Sequence, residues 1–271
     1  MQPPKETSAH PKGGAEAQPF MPHGEVPCSS PILSEVLCFL EIMALRLSPV
    51  YYGSNIPRGD GSAVVIIPGL LGIDLSLFEL HAWLRRIGYR PYYSGLGFAA
   101  DCPDRLSRQL DATIERAYAE TGRRVHVIGH SLGGIFARVA AVRKPRQIAS
   151  VITLGSPFRG LVAHKLILAL SDTARGWIRS IGPDLSRECA TSRCGCEFGR
   201  SLGRRWPRSV RQTAVYTKCD GVVDWRYCLS GKPKIDVEVV GTHLGLPFNE
   251  SVFSHIAGRL AASGREAKSK K

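Results

Sequence analysis

The segment 125–142 places the strongest constraint on the fold of this chain. An apolar run, Val125 to Ile128, leads directly into Gly129-His130-Ser131-Leu132-Gly133-Gly134, and a stretch of small and apolar residues, 135–142, follows it. A strand that passes into a helix through so tight a turn forces its central residue into strained backbone angles. Glycine on either side removes side chains that would clash there. The pattern therefore predicts a strand–turn–helix unit with Ser131 presented at the turn.

Strand and helix patterns alternate on both sides of this unit. The continuous apolar run 63–67 is typical of a strand that is buried on both faces of a parallel sheet. Alternation of strands with helices favours βαβ units, so we predict an α/β fold with a mostly parallel, doubly wound sheet. The predicted strands are 63–67, 91–93, 125–128, 148–154, 213–217 and 235–240, and the predicted helices are 31–48, 74–87, 103–121, 132–143 and 249–262.

Composition divides the chain into segments. The first segment, residues 1–30, is rich in proline, glycine and polar residues and cannot bury enough apolar area to offset the entropy of ordering. A basic, glycine-rich and cysteine-containing stretch also interrupts the main domain, where we expect an insertion over one end of the sheet. The predicted segments are a disordered tail (1–30), a helix and linker (31–56), the main domain (57–262, with the insertion at about 160–210) and a basic C-terminal tail (263–271).

The predicted N-terminal helix, 31–48, carries a wide apolar stripe. Two interpretations stay open: the helix docks on the core, which we favour, or it lies on a membrane surface. The residues of the stripe are Ile32, Val36, Phe39, Leu40, Met43 and Leu47.

The chain is strongly basic, with a formal net charge of +13. Such a balance favours anionic partners, but the charge is dispersed and no nucleic-acid-binding motif accompanies it. We therefore predict no nucleic-acid partner, while peripheral contact with an anionic membrane stays open. The sequence shows no signal-peptide pattern and no uninterrupted apolar run of membrane-spanning length, so we expect a cytoplasmic or membrane-peripheral location.

A serine nucleophile needs a base to take its proton. His243 follows the predicted strand 235–240, in a loop at the carboxyl end of a parallel strand, where such folds place reacting groups. We predict His243 as that base. Of the other downstream histidines, His164 falls in the insertion, and His255 is expected to have a partly buried structural role in the last helix.

A third group should orient the base. Asp220 follows the strand 213–217 and precedes a glycine, so we favour it, with Asp224 as the alternative. The oxyanion of an acyl intermediate would need two backbone N–H donors, which we predict at Leu132 and Leu70.

The cysteines allow three interpretations. Tetrahedral zinc prefers four ligands in paired C-x-x-C units, and the irregular spacing of Cys189, Cys194 and Cys196 disfavours it. A disulfide within the insertion, a Cys219–Cys228 disulfide, or free thiols stay open. We predict no metal and no cofactor.

Five segments together resemble the bacterial lipase- and esterase-like α/β-hydrolases over roughly residues 57–160 and 210–262. The resemblance implies Ser131, Asp220 and His243 as a catalytic triad and a lid between Gly160 and Arg211. The sequence departs from many lipases in the turn after its first strand, where Pro68-Gly69 replaces His-Gly. The segments are 64–72, 129–134, 153–160, 220–225 and 241–243.

The function predicted from these residues is hydrolysis of carboxylic esters with hydrophobic acyl chains, through an acyl-enzyme. The partner would be a small-molecule or lipid ester, which we expect Phe158 and Leu71 to contact. Two alternatives stay open: an acyltransferase that uses the same triad, and a non-catalytic, basic membrane-binding protein on a hydrolase scaffold.

Overall fold

A computed structural model describes residues 31–97, 102–159 and 196–269 of the chain, with side chains up to residue 264. Strands and helices alternate along these residues. The strands are β1 (Ala63–Ile67), β2 (Arg90–Tyr93), β3 (Val125–His130), β4 (Ile148–Leu154), β5 (Arg211–Tyr216) and β6 (Asp236–Glu238). The α-helices are α1 (Cys38–Leu47), α2 (Phe78–Arg86), α3 (Pro103–Thr121), α4 (Leu132–Arg143), α5 (Glu197–Leu202) and α6 (Glu250–Ser269). Short 3-10 helices span Ile32–Leu37, Asp74–Leu77, Trp225–Cys228 and Leu246–Phe248.

The strands form one parallel sheet in the order β2-β1-β3-β4-β5-β6. The chain moves from β1 to β2 on one side and then crosses back to place β3 on the other side. The carboxyl ends of β1 and β3 therefore flank the switch point of the sheet, where open α/β folds leave a crevice. The predicted parallel, doubly wound sheet is confirmed.

Helices cover both faces of the sheet, which explains why its strands are continuously apolar. On one face, side chains such as Val64 and Ile66 pack with α1, α2 and α6. On the other face, Val65 and Val127 pack with α3, α4 and α5. Alternate residues of a buried strand thus enter different cores, as the two-residue period of a strand requires.

The predicted elements agree with the structure to within a few residues, and two details of the final helix differ. The final helix α6 continues to Ser269, through most of the predicted tail. The segment 263–269 contains no proline, so nothing stops the helix there. His255 is exposed on α6 rather than partly buried.

The N-terminal helical segment docks on the sheet domain, but the face that it turns inward is not the apolar stripe. Five of the six residues in the predicted apolar stripe are exposed, as Val36 and Phe39 illustrate. The inward face carries Leu45, which is fully buried, together with Glu35 and Glu41. The segment thus docks on the core as favoured, but its apolar stripe is exposed. The carboxylates of Glu35, which is buried, and Glu41, which is half-buried, occupy the interface and bind backbone N–H groups.

Most of the predicted insertion, including the expected lid helix and His164, lies outside the described residues. Its described end, helix α5, packs against α3 and α4 through Phe198, whose ring lies 5.0 Å from that of Phe136.

Cys219 and Cys228 do not form the disulfide that the sequence left open. Cys219 is exposed and Cys228 is buried in a small apolar cluster with Val222 and Val223, and both are free thiols. Burial, together with the nearby carboxylate of Asp220, raises the pKa of the Cys228 thiol well above its ordinary value. Cys189 and Cys194 lie outside the described residues.

Within the described parts of the chain, no helix has the length and apolar character needed to cross a membrane.

The core provides a stability test with a matched pair of phenylalanines. Phe253 in α6 is fully buried against Trp83, with ring centroids 4.4 Å apart, whereas Phe39 in α1 is 68% exposed. We predict that Phe253→Ala lowers the free energy of unfolding by about 3–5 kcal/mol. Phe39→Ala should change it by less than about 0.5 kcal/mol. Urea denaturation measures both, and equal losses would contradict this assignment of the core.

Candidate active site

Ser131 sits at the tight turn between β3 and α4. Its backbone angles, φ 51° and ψ −121°, are ones that side-chain-bearing residues rarely adopt, so the surrounding structure must enforce them. The Ser131 N–H donates to the carbonyl of Leu154 at 2.8 Å. A Cβ on Gly129 would overlap the backbone of Gly133, and one on Gly133 would overlap Ile67 and Pro68. The glycines are therefore required by the close packing of β1, β3 and α4.

His130, the residue before the serine, is buried in the same turn. Its Nε2 lies 2.9 Å from the carbonyl oxygen of His243, and the two rings are 4.9 Å apart. Burial, with a smaller effect from His243, lowers the pKa of His130 to about 3. The ring is thus neutral at ordinary pH. Nε2 then carries the proton and donates it to the carbonyl of His243.

Asp220 and His243 form a buried hydrogen-bonded pair. His243 Nδ1 lies 2.7 Å from Asp220 Oδ2, and both side chains are almost completely shielded from water. The second oxygen of Asp220, Oδ1, accepts backbone N–H groups from Val222 at 2.9 Å and Val223 at 2.7 Å. Because these bonds fix the carboxylate, the imidazole has one orientation, with Nδ1–H toward the acid and Nε2 directed away from it.

Asp224 is engaged elsewhere. Its Oδ1 accepts the backbone N–H of Arg226 at 2.9 Å, which caps the 3-10 helix Trp225–Cys228. Its Oδ2 pairs with the guanidinium of Arg226 at 3.2 Å. Of the two aspartates considered from the sequence, Asp220 is the one that the structure brings to His243.

Ser131 and His243 lie against two consecutive residues at the end of β4, Leu154 and Gly155 respectively. Leu154 accepts the N–H of Ser131, and a Cβ built on the next residue, Gly155, would approach His243 Nδ1 to 3.0 Å. Gly155 has φ 55° and leaves room for the imidazole. The hydrogen bonds of the described residues include the Asp220–His243 bond but none from the Ser131 hydroxyl.

The two predicted oxyanion donors flank the serine. Leu132 is the first residue of α4, so its N–H belongs to the first turn and has no partner within the helix. Gly69 packs on Ser131: a Cβ added there would lie 3.1 Å from the Ser131 Cβ. Leu70 follows Gly69 in a turn closed by the Gly72 N–H to Gly69 carbonyl bond at 3.0 Å. Both donors therefore lie at the switch point of the sheet.

The two predicted substrate contacts differ in their surroundings. Leu71 is partly exposed in the turn next to the serine and has φ 59°, a left-handed backbone conformation that costs a leucine strain. Phe158 is buried, and the guanidinium of Arg138 lies 5.6 Å from its ring.

Sequence reasoning missed two acidic residues at this site. Glu35 and Glu41 reach from the N-terminal segment to the loops that carry Asp220 and His243. The signal in the sequence was Glu41, which lies four residues before Leu45 in an otherwise apolar helix, whereas Glu35 lies ten residues before Leu45. Among the described residues, no group of three or more His, Cys, Asp or Glu side chains is arranged to hold a metal ion.

Parts of this chain are similar to known proteins. Residues 105–178 match a family model described as a PGAP1-like alpha/beta domain. A triacylglycerol lipase of Burkholderia plantarii is 32% identical over 127 residues, which cover 44% of this chain and 36% of that protein. A triacylglycerol lipase of Pseudarthrobacter phenanthrenivorans is 36% identical over 106 residues, which cover 36% of this chain and 33% of that protein.

Among solved structures, Aspergillus fumigatus lipase B superposes with a TM-score of 0.53 at 17% identity, covering 76% of this chain and 55% of that protein. Together these matches support a relationship with the lipase- and esterase-like α/β-hydrolase superfamily. The match to lipase B concerns the fold alone, and the chain spans about a third of the length of the two triacylglycerol lipases. This α/β-hydrolase thus shares with them a segment rather than a whole protein.

A second histidine of β3 gives a pH test of stability. His126 is buried with Nδ1 2.7 Å from the Ser150 hydroxyl, and burial lowers its pKa from 6.5 to about 4. As the pH falls below 6.5, His126 becomes protonated in the unfolded chain, whereas in the folded chain it stays neutral until about pH 4. Stability should therefore decline across this window, by roughly 1 kcal/mol per pH unit for this histidine.

The test compares urea denaturation of the wild type and His126→Gln between pH 7 and pH 5. The glutamine cannot titrate, so its stability should fall less steeply with decreasing pH. Equal slopes for the two proteins would show that His126 is not held neutral in the fold.

Proposed function

We propose that this α/β-hydrolase cleaves carboxylic esters through a Ser131–His243–Asp220 triad and an acyl-enzyme. The observation that carries the proposal is the buried 2.7 Å bond from His243 Nδ1 to Asp220 Oδ2, next to a serine in a strained turn. A carboxylate that fixes the tautomer of an imidazole near a nucleophile-bearing turn is the arrangement that activates serine.

In the proposed reaction, His243 Nε2 takes the proton of the Ser131 hydroxyl as its oxygen attacks the acyl carbonyl carbon. Asp220 stabilises the resulting imidazolium. The N–H groups of Leu70 and Leu132 donate to the oxyanion. The intermediate collapses, the alcohol departs with the proton from His243, and water then releases the acid by the same steps in reverse.

Apolar surface near the turn supports a hydrophobic ester as substrate. Ile73, Leu75 and Phe78 follow the Gly69–Gly72 turn directly, and all three are exposed. Large apolar side chains that remain exposed beside a reactive group favour binding of an apolar ligand. The two relatives named triacylglycerol lipase are consistent with an acyl ester of this kind.

Covalent labelling tests the nucleophile. Incubation with a fluorophosphonate should place a single adduct on Ser131, located by peptide mass spectrometry. Ser131→Ala should abolish the adduct and lower hydrolysis of p-nitrophenyl esters by at least about 10⁴-fold. Ser76→Ala removes an exposed serine in the neighbouring 3-10 helix Asp74–Leu77 and serves as the control. This variant should keep both the adduct on Ser131 and the rate of ester hydrolysis. An adduct that persists in Ser131→Ala would end the proposal.

The two aspartates provide a matched test of the acid. Asp220→Asn should reduce kcat by about 10⁴-fold, because an amide donor facing Nδ1 would favour the wrong tautomer of His243. Asp224→Asn should keep kcat within about threefold, since the new side chain can still accept the N–H of Arg226. Steady-state kinetics on a short-chain ester measures both. Losses of similar size in the two variants would contradict the assignment of Asp220.

A further inference from the structure

The side chain of Glu35 joins three distant parts of the chain. It lies buried in the 3-10 helix Ile32–Leu37, on the N-terminal segment. Its Oε1 accepts backbone N–H groups of Gly221 at 2.8 Å and His243 at 3.1 Å, and its Oε2 accepts that of Leu244 at 2.8 Å. One carboxylate thus binds the loop that follows Asp220 and the backbone of the histidine itself.

Glu41, two turns further along the same segment, binds the residue before that histidine. Its Oε1 accepts the backbone N–H of Thr242 at 2.7 Å and the hydroxyl of Thr242 at 2.8 Å. Its Oε2 accepts the side-chain amide of Asn249 at 2.9 Å. The Thr242 hydroxyl oxygen in turn accepts the Gly245 N–H at 3.0 Å, which closes the loop on itself.

Glycine occurs where these carboxylates touch the backbone, which is a separate observation. A Cβ on Gly221 would lie 3.0 Å from Glu35 Oε1, and one on Gly241 would lie 2.6 Å from Glu41 Oε2. A Cβ on Gly245 would overlap the carboxylate of Glu41 outright. The two loops are therefore shaped to receive the carboxylates, rather than touched by them incidentally.

His243 is consequently fixed on every side that does not react. Its N–H donates to Glu35, its carbonyl accepts from His130, and its Nδ1 bonds to Asp220. The atom left over is Nε2, which the proposed reaction uses. A buried carboxylate is costly unless hydrogen bonds satisfy it, and bonds from several N–H groups to a charged acceptor are among the strong ones.

We propose that Glu35 and Glu41 form a carboxylate clamp in which Glu35 is a positioning residue for His243 and Asp220. The clamp sets the distance between the acid loop and the base loop, which reach the site from the ends of β5 and β6. This inference deepens the proposed function and rests on it. Misplacement of a reacting group by about 1 Å costs about 100-fold in rate, so the effect of the clamp should appear in kcat.

A purely structural role is the rival explanation, and Glu79 offers a matched control. Glu79 in α2 is also a buried carboxylate that holds the N-terminal segment, through Arg46 and the Tyr51 hydroxyl. It contacts none of the loops that carry Ser131, Asp220 and His243 in the hydrogen bonds of the described residues. Loss of Glu79 should therefore loosen the same segment without disturbing the acid–base pair directly.

The experiment compares Glu35→Gln, Glu35→Asp and Glu79→Gln with the wild type. Glutamine keeps the size of the side chain but turns an NH₂ group toward a backbone N–H donor, and aspartate keeps the charge but is one methylene shorter. The readouts are kcat and KM on p-nitrophenyl butyrate, melting temperature, and hydrogen exchange of peptides covering 218–223 and 239–248. Kinetics are measured well below the lowest melting temperature, so that every variant is folded.

For Glu35→Gln we expect kcat to fall by roughly 10- to 100-fold with KM changed less than about threefold. Hydrogen exchange should become faster in both peptides. Glu35→Asp should recover part of the lost kcat. Glu79→Gln should lower the melting temperature while kcat stays within about threefold of the wild type.

Two results would overturn the clamp. One is unchanged kcat or unchanged local exchange in Glu35→Gln, and the other is an equal loss of kcat in Glu35→Gln and Glu79→Gln. A wild type that neither reacts with fluorophosphonate nor hydrolyses esters would instead refute the proposed function. In that case the exchange measurement still decides whether Glu35 holds the two loops, so the two failures are distinguishable.

Discussion

The hydrogen bond between His243 and Asp220 is the interaction on which the site depends. It joins the two loops that follow the neighbouring strands β5 and β6, and both side chains are almost completely shielded from water. Such a bond is stronger in a low-dielectric environment, but it also demands that every other polar atom nearby be satisfied. The structure meets this demand with backbone N–H groups on Asp220 Oδ1 and with Glu35 on the backbone of His243. The orientation of the imidazole is thus stabilised by hydrogen bonds from residues around the pair.

Local pattern was sufficient to predict most of the fold. The strands 63–67 and 148–154 and the helices 103–121 and 132–143 have the predicted bounds, because parallel strands buried on both faces and amphipathic helices leave unmistakable periodicities. The tight turn at Ser131 was also predictable from local pattern, because any side chain at Gly129 or Gly133 would overlap the backbone of an adjacent element. The pairing of His243 with an aspartate was also expected from chain order. The sequence favoured Asp220 but left Asp224 as an alternative. The structure separates them, because Asp224 caps the 3-10 helix Trp225–Cys228 and Asp220 pairs with His243.

The N-terminal segment shows where sequence patterns mislead. Periodicity assigned its apolar residues to the core, yet Val36 and Phe39 are exposed and Glu35 is buried. Burial of a carboxylate cannot be inferred from propensity, because it becomes favourable only when partners far away in sequence provide donors. The partners of Glu35 lie 186 to 209 residues downstream. No window along the sequence includes both sides of such a contact.

The span of these contacts has a consequence for how the protein is made. The Glu35 segment is synthesised 208 residues before His243. Contacts of high sequence separation form late, because loop closure must precede them. The nucleophile turn and its flanking strands can therefore be complete while the acid–base pair is still unassembled. In a nascent chain, Glu35 therefore cannot fix the backbone of His243 until both segments have been synthesised and have docked on each other.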